Sequence, residues 1–322
     1  HTVISVNGGL VVKEPCVVEN KKSLALPQGI LIALIALCGS FALGFMLPVN
    51  RNATNATSKQ QINTENAKAK SVSLFSIKDF QSAMLATWEQ EAISKGVFHT
   101  VPKSFRGKTL KQAKLGPKDK LIALTYDDGP WPGYTAQILE ILKKNNIKAT
   151  FFVVGQVLQS YPDLGKRIVT EGHIIANHTW NHPYHFFNKE AAAVEIDRTA
   201  DLIYKTTGTK TTLFRPPGGI LHNGLADYAK SKDYAVIMWS ADSIDYALPP
   251  PATLVARVVR QATPGGIVLL HDGGGPRKNT VAALPSMIRK LRDKGYRFVT
   301  IPELLEYEEK QKKKTITAQN KK

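Results

Sequence analysis

The sequence of 322 residues predicts an α/β fold with parallel strands. From Leu121 onward, short apolar runs alternate with helix-like segments, as in β-α units. Several runs are apolar on both faces, which is typical of buried parallel strands. Polar motifs follow the runs at the ends where such folds carry their chemistry. Because the sequence has no glycine-rich phosphate loop, we favour a barrel over a doubly wound open sheet.

The predicted elements follow one another without long gaps. In order they are LIALTY, the helix-like TAQILEILKKNN, ATFFVVG, the helix-like YPDLGKRIVTEG, HIIAN, TTLF, AVIMWS and GIVLL. Polar motifs follow five of the strand-like runs: DDGP, HTWNH, RPPGG, ADSIDY and HDGGG. The carboxyl ends of parallel strands meet at one face, so we expect these motifs to converge.

The rest of the chain suggests a membrane-attached organisation. A short N-terminal segment (residues 1–23) precedes an uncharged, mostly apolar stretch (24–49), which we interpret as a transmembrane signal anchor. Residues 50–71 are polar, and this composition predicts a flexible spacer. Residues 72–117 predict an amphipathic helix followed by a basic link. Residues 118–305 form the main domain, and 306–322 predict a solvated, disordered basic tail.

Composition limits the classes of site. The two cysteines, Cys16 and Cys38, precede the main domain, so a metal there must be held by His, Asp or Glu. The net charge is +17 and the sequence pI is about 9.7. Such charge suits an anionic wall or membrane surface, or nucleic acid. The sequence contains no recognisable nucleic-acid motif, and we expect no nucleic-acid partner.

Two motifs suggest a metal site. His178 and His182 are four residues apart in HTWNH, a spacing that suits a divalent metal, although such pairs are also common as caps and surface residues. In DDGP, the turn after Asp127 and Asp128 could bring both carboxylates to the strand mouth. One would complete a His₂Asp site, and the other would act as a general base. In isolation, DDG is also a common turn and helix cap.

Three further residues lie at predicted strand ends. Arg215, followed by two prolines, could stabilise the ionised form of a neighbouring aspartate, although it could equally be a surface arginine. Asp245 and His271 follow two late strands and form a candidate carboxylate–imidazole pair, in which Asp orients the ring and stabilises its charged form. Such a pair suits a general acid.

Taken together, TYDDGP, HTWNH, RPPGG, DSIDY and LLH resemble, in content and order, the polysaccharide deacetylases with a NodB-homology domain, carbohydrate esterase family 4. The resemblance covers about residues 118–305. It implies a distorted (β/α) barrel with fewer than eight strands. It also implies a divalent metal cofactor, with Zn²⁺ expected and Co²⁺ as an alternative.

The resemblance assigns a role to each motif. Asp127 resembles the catalytic base, and Asp128, His178 and His182 resemble the metal ligands. Arg215 resembles the residue that braces the base, and His271 resembles the general acid with Asp245 as its partner. The substrate-side residues are Gly218 (a candidate oxyanion donor), Tyr246 and Leu269. Two positions depart from the family pattern, since members commonly carry tryptophan at the position of Tyr246 and many carry a large side chain at that of Gly218.

The implied activity is hydrolysis of N-acetyl groups on N-acetylglucosamine residues of a polysaccharide, with peptidoglycan or a chitin-like glycan as the expected substrate. Water activated at the metal would attack the acetyl carbon, with Asp127 as base and His271 as acid. The alternatives are an O-acetyl esterase acting on xylan or a similar glycan, and a non-catalytic wall-binding protein. We expect a monomer anchored in the membrane with its catalytic domain outside the cytoplasm. His173, His185 and His222 are expected at structural or rim positions, and Tyr184 and His185 are candidates to line the groove.

Overall fold

The computed structural model describes residues 98–99 and 101–319. The predicted anchor (24–49), the spacer (50–71) and the amphipathic helix that begins near Ser76 lie outside these residues. Within the described ranges, no helix combines the length and apolar character needed to cross a membrane. The elements that build the candidate site all lie within these ranges.

One parallel sheet of nine strands forms the centre of the domain. Its strands are β2 (Thr109–Leu110), β3 (Leu121–Asp127), β4 (Thr150–Val153), β5 (Ile174–Asn177), β7 (Leu213–Phe214), β8 (Ala235–Ile237), β9 (Ala241–Asp242), β10 (Gly266–His271) and β11 (Arg297–Phe298). Two further strands, β1 (Phe98–His99) and β6 (Lys210–Thr211), pair in a separate two-stranded sheet. Part of the predicted link therefore joins the sheet as β2.

The sheet curls into a distorted barrel, as predicted. Its strands run in the order β2-β8-β7-β5-β4-β3-β10-β9, with β11 beside β3. Strands β8 and β9 belong to one continuous stretch, residues 235–242, which pairs with β7 at one end and with β10 at the other. A hydrogen bond from Ser240 N–H to the Ile267 carbonyl (3.0 Å) supports this crossing. The crossing stretch closes the ring of strands.

The expected strand number was wrong. The sheet has nine strands where fewer than eight were expected. The six predicted strand-like runs account for the other strands, and the excess comes from three strands of only two residues each: β2, β9 and β11. Segments this short are fixed by pairing with neighbours in the fold, and they have no alternating pattern long enough to detect.

Helices pack around the sheet. They are α1 (Tyr134–Lys144), α2 (Gly155–Ser160), α3 (Pro162–Thr170), α4 (Lys189–Thr207), α5 (Leu225–Ser231), α6 (Pro251–Gln261), α7 (Lys278–Asp293) and α8 (Ile301–Gln319). Helix α4 begins at a true cap, because the side chain of Asn188 accepts from Ala191 N–H at 2.9 Å. It ends at Gly208, whose φ of +73° is readily adopted by glycine.

Alternation along the strands decides which side chains enter the barrel. In β3, Ile122 and Leu124 pack in the cluster beneath the helices, whereas Leu121 and Ala123 belong to the interior cluster. Because side chains alternate with a period of two, Asp127 lies on the interior face. The same counting from Ile267 in β10 puts Leu269 and His271 on that face.

The C-terminal segment differs from its prediction. Residues 306–322 were expected to form a disordered tail, but α8 continues through Gln319. The side chains of its last turns are exposed to solvent. Side chains four residues apart pair along the helix, including Lys312 with Glu308 at 2.5 Å. Such pairs support helices and offset the repulsion between neighbouring lysines.

Candidate active site

A cleft of about 570 Å³ opens at the carboxyl ends of the strands. All the predicted site residues line it except Arg215 and Asp245, which lie buried behind it. The lining residues are Asp127, Asp128, Trp131, Val154, Gln156, Val157, His178, Asn181, His182, Tyr184, Pro216, Gly218, Gly219, Trp239, Asp242, Tyr246, Leu269, His271, Gly274 and Arg277. The five motifs therefore converge as expected.

Asp128, His178 and His182 form a candidate metal centre. One ligand atom from each lies within 4.8 Å of the other two. The Nε2 atoms of His182 and His178 lie 3.2 Å and 3.5 Å from Asp128 Oδ1. Asp128 follows β3 with a φ of +74°, and the two histidines follow β5 in a loop, as Pro183 suggested. Both motifs thus meet at one point of the barrel mouth.

The donor atoms fit a divalent cation. The Nδ1–H of His178 donates to the Arg215 carbonyl at 2.7 Å, so its Nε2 carries a lone pair. Asp128 Oδ1 is buried without a hydrogen-bond partner in the described chain. Lone pairs that face each other across a buried gap are the donor set that a cation satisfies.

A carboxylate from α4 holds the loop that carries the two histidines. Glu195 is buried and accepts from the backbone N–H groups of Trp180 and Asn181 at 2.9 and 2.8 Å. It also accepts from the Asn181 side-chain amide at 2.7 Å. Because this loop lies between His178 and His182, Glu195 fixes the separation of the two imidazoles.

The candidate base is held by a buried arginine. Arg215 is 0% exposed, and its Nη1 donates to Asp127 Oδ1 at 2.6 Å and to Thr125 Oγ1 at 2.9 Å. Its Nε and Nη2 donate to the carbonyls of Ile237 and Met238 at 2.9 and 3.2 Å. These contacts hold Asp127 in one orientation and place a positive charge beside its carboxylate. The predicted contact between Arg215 and Asp127 is therefore present.

On the other side of the cleft, Asp245 holds His271. The Nδ1–H of His271 donates to Asp245 Oδ1 at 2.6 Å, and its backbone N–H donates to Oδ2 at 2.9 Å. The Thr280 hydroxyl also donates to Oδ2, at 2.8 Å. Burial disfavours the charged imidazole, but the hydrogen bond and charge of Asp245 outweigh it and raise the pKa of His271 to about 9. His271 is therefore protonated at neutral pH, with Nε2 free to donate.

The candidate base and acid are neighbours across two strands. Asp127 at the end of β3 pairs in register with His271 at the end of β10. Both side chains lie on the interior face, and adjacent strands are about 4.8 Å apart. A substrate group bound in the cleft next to these residues could therefore contact both Asp127 and His271.

The walls of the cleft include two exposed tyrosines. Tyr184 meets the His182 ring edge to face at 5.1 Å, and Tyr246 meets His271 in the same way at 5.9 Å. Gly218 has a φ of +60°, and a Cβ placed on it would lie 3.0 Å from the Tyr184 ring. Tyr184 therefore occupies part of the space that a larger side chain at the position of Gly218 would fill. Leu269 is 3% exposed and lines the floor.

Sequence reasoning missed several residues of the cleft: Trp131, Trp239, Asp242, Asp272 and Arg277. Asp272 is buried behind the cleft, where it accepts from Gly129 N–H at 3.1 Å and from the Thr135 hydroxyl at 2.6 Å. Burial, with the charges of Asp128 and Asp127, raises the pKa of Asp272 to about 7. Its position after His271 in HDGGG was the available signal.

The remaining histidines behave as expected, with one exception. His173 is buried, and its Nδ1 accepts from Ala149 N–H at 3.0 Å, away from the cleft at the start of β5. His222 is exposed and does not line the cleft. Tyr184 lines it as predicted, but His185 does not, because its ring stacks on Phe187 at 4.3 Å.

Comparison with known proteins gives consistent relationships. A family model described as polysaccharide deacetylase matches residues 114–237. A peptidoglycan-N-acetylglucosamine deacetylase of Bacillus cereus is 41% identical over 191 residues, which are 59% of this chain and 90% of the relative. A solved peptidoglycan N-acetylglucosamine deacetylase superposes with a TM-score of 0.58 at 32% identity, over 67% of this chain and 96% of that one.

A second solved structure differs in its described activity. It is a CE4 family pseudoenzyme from Bacillus anthracis, 33% identical with a TM-score of 0.56, over 61% of this chain and 68% of that one. Similar folds in this group therefore include a protein described as lacking the enzyme's activity.

Proposed function

Because the chain belongs to the polysaccharide deacetylase family, we propose that it removes N-acetyl groups from N-acetylglucosamine residues of a polysaccharide. Two lines of support favour peptidoglycan as the substrate. The relative that the chain covers to 90% is named a peptidoglycan-N-acetylglucosamine deacetylase. The net charge of +17 also suits an anionic cell wall.

One observation carries the proposal of activity: the cleft holds a complete set of reacting groups. Family membership alone does not assign turnover, since one similar structure is described as a pseudoenzyme. Here three metal-ligating side chains converge within 4.8 Å. The candidate base is held by Arg215 at 2.6 Å, and the candidate acid is held by Asp245 at 2.6 Å. These features disfavour a non-catalytic wall-binding role.

Asp128, His178 and His182 would hold the metal, for which we propose Zn²⁺, with Co²⁺ able to replace it. A divalent cation at this point supplies Lewis-acid chemistry, because it polarises the acetyl oxygen and lowers the pKa of a water molecule. The hydrogen bond from His178 to the Arg215 carbonyl fixes the ring so that Nε2 faces the other ligands.

Asp127 accepts the proton of the attacking water. Its Oδ1 is occupied by Arg215, and its Oδ2 lies on the side of the candidate metal centre, 3.8 Å from His178 Nε2. As the oxygen of water bonds to the acetyl carbon, one proton passes to Asp127. The charge that develops on the acetyl oxygen would be stabilised in part by the Gly218 N–H.

His271 completes the reaction by donating a proton to the departing nitrogen. Its Nδ1 is committed to Asp245, so Nε2–H is the proton available in the cleft. The carbon–nitrogen bond then breaks, releasing acetate and a free amino sugar. Leu269 would contact the acetyl methyl group, and Tyr246 would contact the sugar ring.

We also propose that the domain acts outside the cytoplasm, attached to the membrane through residues 24–49. The support is the uncharged apolar stretch followed by a polar spacer, which would hold the domain near the wall. A protease-protection assay on spheroplasts, with an antibody to the domain, tests this placement. Degradation of the domain only after membrane lysis would contradict it.

Acetate release from three polymers tests the proposed activity. The purified chain is incubated with chitooligosaccharide, peptidoglycan and acetylxylan, with and without a chelator. We expect release from the N-acetylated polymers, loss with chelator, and recovery with Zn²⁺ or Co²⁺. Asp127→Asn and His178→Ala should abolish release. Release from acetylxylan alone would establish the O-acetyl esterase alternative instead, and near-normal activity in either variant would refute the assigned roles.

A further inference from the structure

Arg277 is a buried arginine without a carboxylate partner among the described residues. The residue is 4% exposed and lines the cleft. In the described part of the chain, no carboxylate oxygen lies within 4.0 Å of its guanidinium nitrogens. A buried charge without a counterion costs several kcal/mol in proteins. The fold therefore keeps an arginine at a place where packing alone would favour an apolar residue.

The position of Arg277 in the fold adds to this cost. It stands at the amino-terminal cap of α7, a helix of 16 residues, and exposed Lys278 follows it. The first turn of α7 contains no acidic residue, and no side chain caps its N–H groups. A helix amino terminus carries partial positive charge, so two cations there are unfavourable unless an anion is present.

The guanidinium of Arg277 is held in one orientation. Its Nε donates to the Gly273 carbonyl at 2.8 Å, and its Nη1 donates to the Pro276 carbonyl at 3.3 Å. Its Nη2 has no hydrogen-bond partner among the described residues and keeps some access to solvent. The guanidinium group of Arg277 is thus held in a fixed orientation, with its Nη2 available to bind a ligand.

This feature lies beside the reacting groups. The glycine loop before Arg277 touches Asp128, because a Cβ on Gly274 would lie 2.4 Å from Asp128 Oδ2. Thr280, in the first turn of α7, donates to the Asp245 carboxylate that holds His271. A group bound at Arg277 would therefore belong to the substrate that is positioned at His271.

Most of the cleft's own acids are already paired. Asp127 is bonded to Arg215, and Asp128 lies against the two candidate metal-ligating histidines. Asp242 is half-buried, accepts from the Ile244 backbone N–H at 2.8 Å, and lies beyond 4.0 Å from Arg277. The anion that Arg277 lacks is therefore not supplied by these groups.

We propose that Arg277, Lys278 and the amino terminus of α7 form an anion subsite that binds a carboxylate on a sugar next to the one that is deacetylated. This inference rests on the proposed function and narrows it: the preferred substrate is an acidic glycan, such as a strand whose muramic acid carboxylates are free. A carboxylate matches the planar fork of arginine in a bidentate contact. Neutral chitin-like chains lack this contact.

The test compares substrates that differ only in charge. Peptide-free glycan strands of peptidoglycan are prepared with free muramic acid carboxylates and, in parallel, with those carboxylates converted to methylamides. Acetate release by the full chain gives KM for both forms and for a neutral chitooligosaccharide. The variants are Arg277→Gln, Arg277→Lys and, as a matched control on the exposed face of the same helix, Arg289→Gln.

We expect Arg277→Gln to raise KM for the acidic strands roughly tenfold to a hundredfold more than for the amidated strands, the usual range for a charge-assisted hydrogen bond. Arg277→Lys should recover part of the preference for acidic over amidated strands, because lysine keeps the positive charge but lacks the planar guanidinium group. Arg289→Gln should behave as the unaltered chain. Equal changes on acidic and amidated strands would overturn the proposal, since they would show that Arg277 only supports the loop.

Equilibrium binding separates this proposal from the proposed activity. Calorimetric titration with the acidic and amidated strands measures preference without turnover. If no polymer yields acetate but the acidic strands bind more tightly through Arg277, the activity is wrong and the subsite stands. If acetate is released and the unaltered chain does not distinguish the two forms, the subsite is refuted and the activity stands.

Discussion

Removing the negative charge of Asp245 should lower both the pKa of His271 and the stability of the protein. The pKa of His271 is raised from 6.5 to about 9, and its side chain is 13% exposed. That difference corresponds to on the order of 3 kcal/mol of interaction in the folded state. In Asp245→Asn burial still lowers the pKa of His271 and the charges of Asp127 and Asp128 still raise it, so we expect this pKa to fall towards its ordinary value.

The sign of the pH dependence follows from these shifts. His271 is raised, so its contribution to stability is fully present below pH 6.5 and is lost as pH rises through about 9. The pKa of Asp245 is lowered, by hydrogen bonds and charge from His271 that outweigh burial, so its contribution is present above 3.8 and is lost at lower pH. Asp245→Asn should therefore be most destabilising between those limits, at about pH 4 to 6.5.

Two measurements check this prediction, both with chelator present so that no cation contributes. NMR titration of the His271 ring gives its pKa, and urea unfolding at pH 5.5 and pH 9.5 gives the free energies. We expect a loss on the order of 3 kcal/mol at the lower pH and a smaller one at the higher. Asp242→Asn, a nearby acid without a histidine partner, is the control. A His271 that still titrates near 9 in Asp245→Asn, or an equal loss at both pH values, would refute the reasoning.

Three further substitutions test the supports of the site. Arg215→Met should lower the free energy of unfolding, measured in urea, by about 3–5 kcal/mol, because it leaves Asp127 buried without its counterion. Adding Asp127→Asn should restore part of the lost stability. An Arg215→Met variant as stable as the unaltered chain would contradict this reasoning. Gly218→Ala should lower the free energy of unfolding by about 1–2 kcal/mol, because alanine is strained in the left-handed backbone conformation of this residue. If adding Tyr184→Ala restored the full stability, the cost would come from contact with the Tyr184 ring and not from the backbone. Glu195→Gln should weaken Zn²⁺ binding roughly 10–100-fold in calorimetric titration. Unchanged affinity would show that the loop carrying His178 and His182 keeps its conformation without Glu195.

The convergence of the candidate site residues on one cleft could be predicted from the sequence, because they follow strands with clear patterns. The strand that begins at Leu121 is long and apolar, so the turn after Asp127 could be located from the sequence. Because side chains alternate between the two faces of a strand, the face that Asp127 occupies then follows. The same holds for His271 at the end of β10. Residues at strand ends can be assigned to a common face before any coordinates exist.

Residues that act through tertiary contacts could not be predicted in the same way. Glu195 lies in the middle of α4 and reads as an ordinary helical glutamate, because its three donors come from a loop 14 to 15 residues earlier. Arg277 stands out only when its burial and lack of a counterion are known. The close approach of Tyr184 to Gly218 depends on two loops whose separation no periodic pattern sets.

The register between β3 and β10 has a consequence for how this protein and its relatives can diverge. Asp127 and His271 are paired directly across two hydrogen-bonded strands, so their separation is a property of the backbone. An insertion or deletion of one residue in either strand would turn one of the two side chains away from the cleft. Loops after the strands have no such constraint and can change in length or sequence. The rim of the cleft can therefore change during evolution while the spacing of the candidate base and the candidate acid stays fixed.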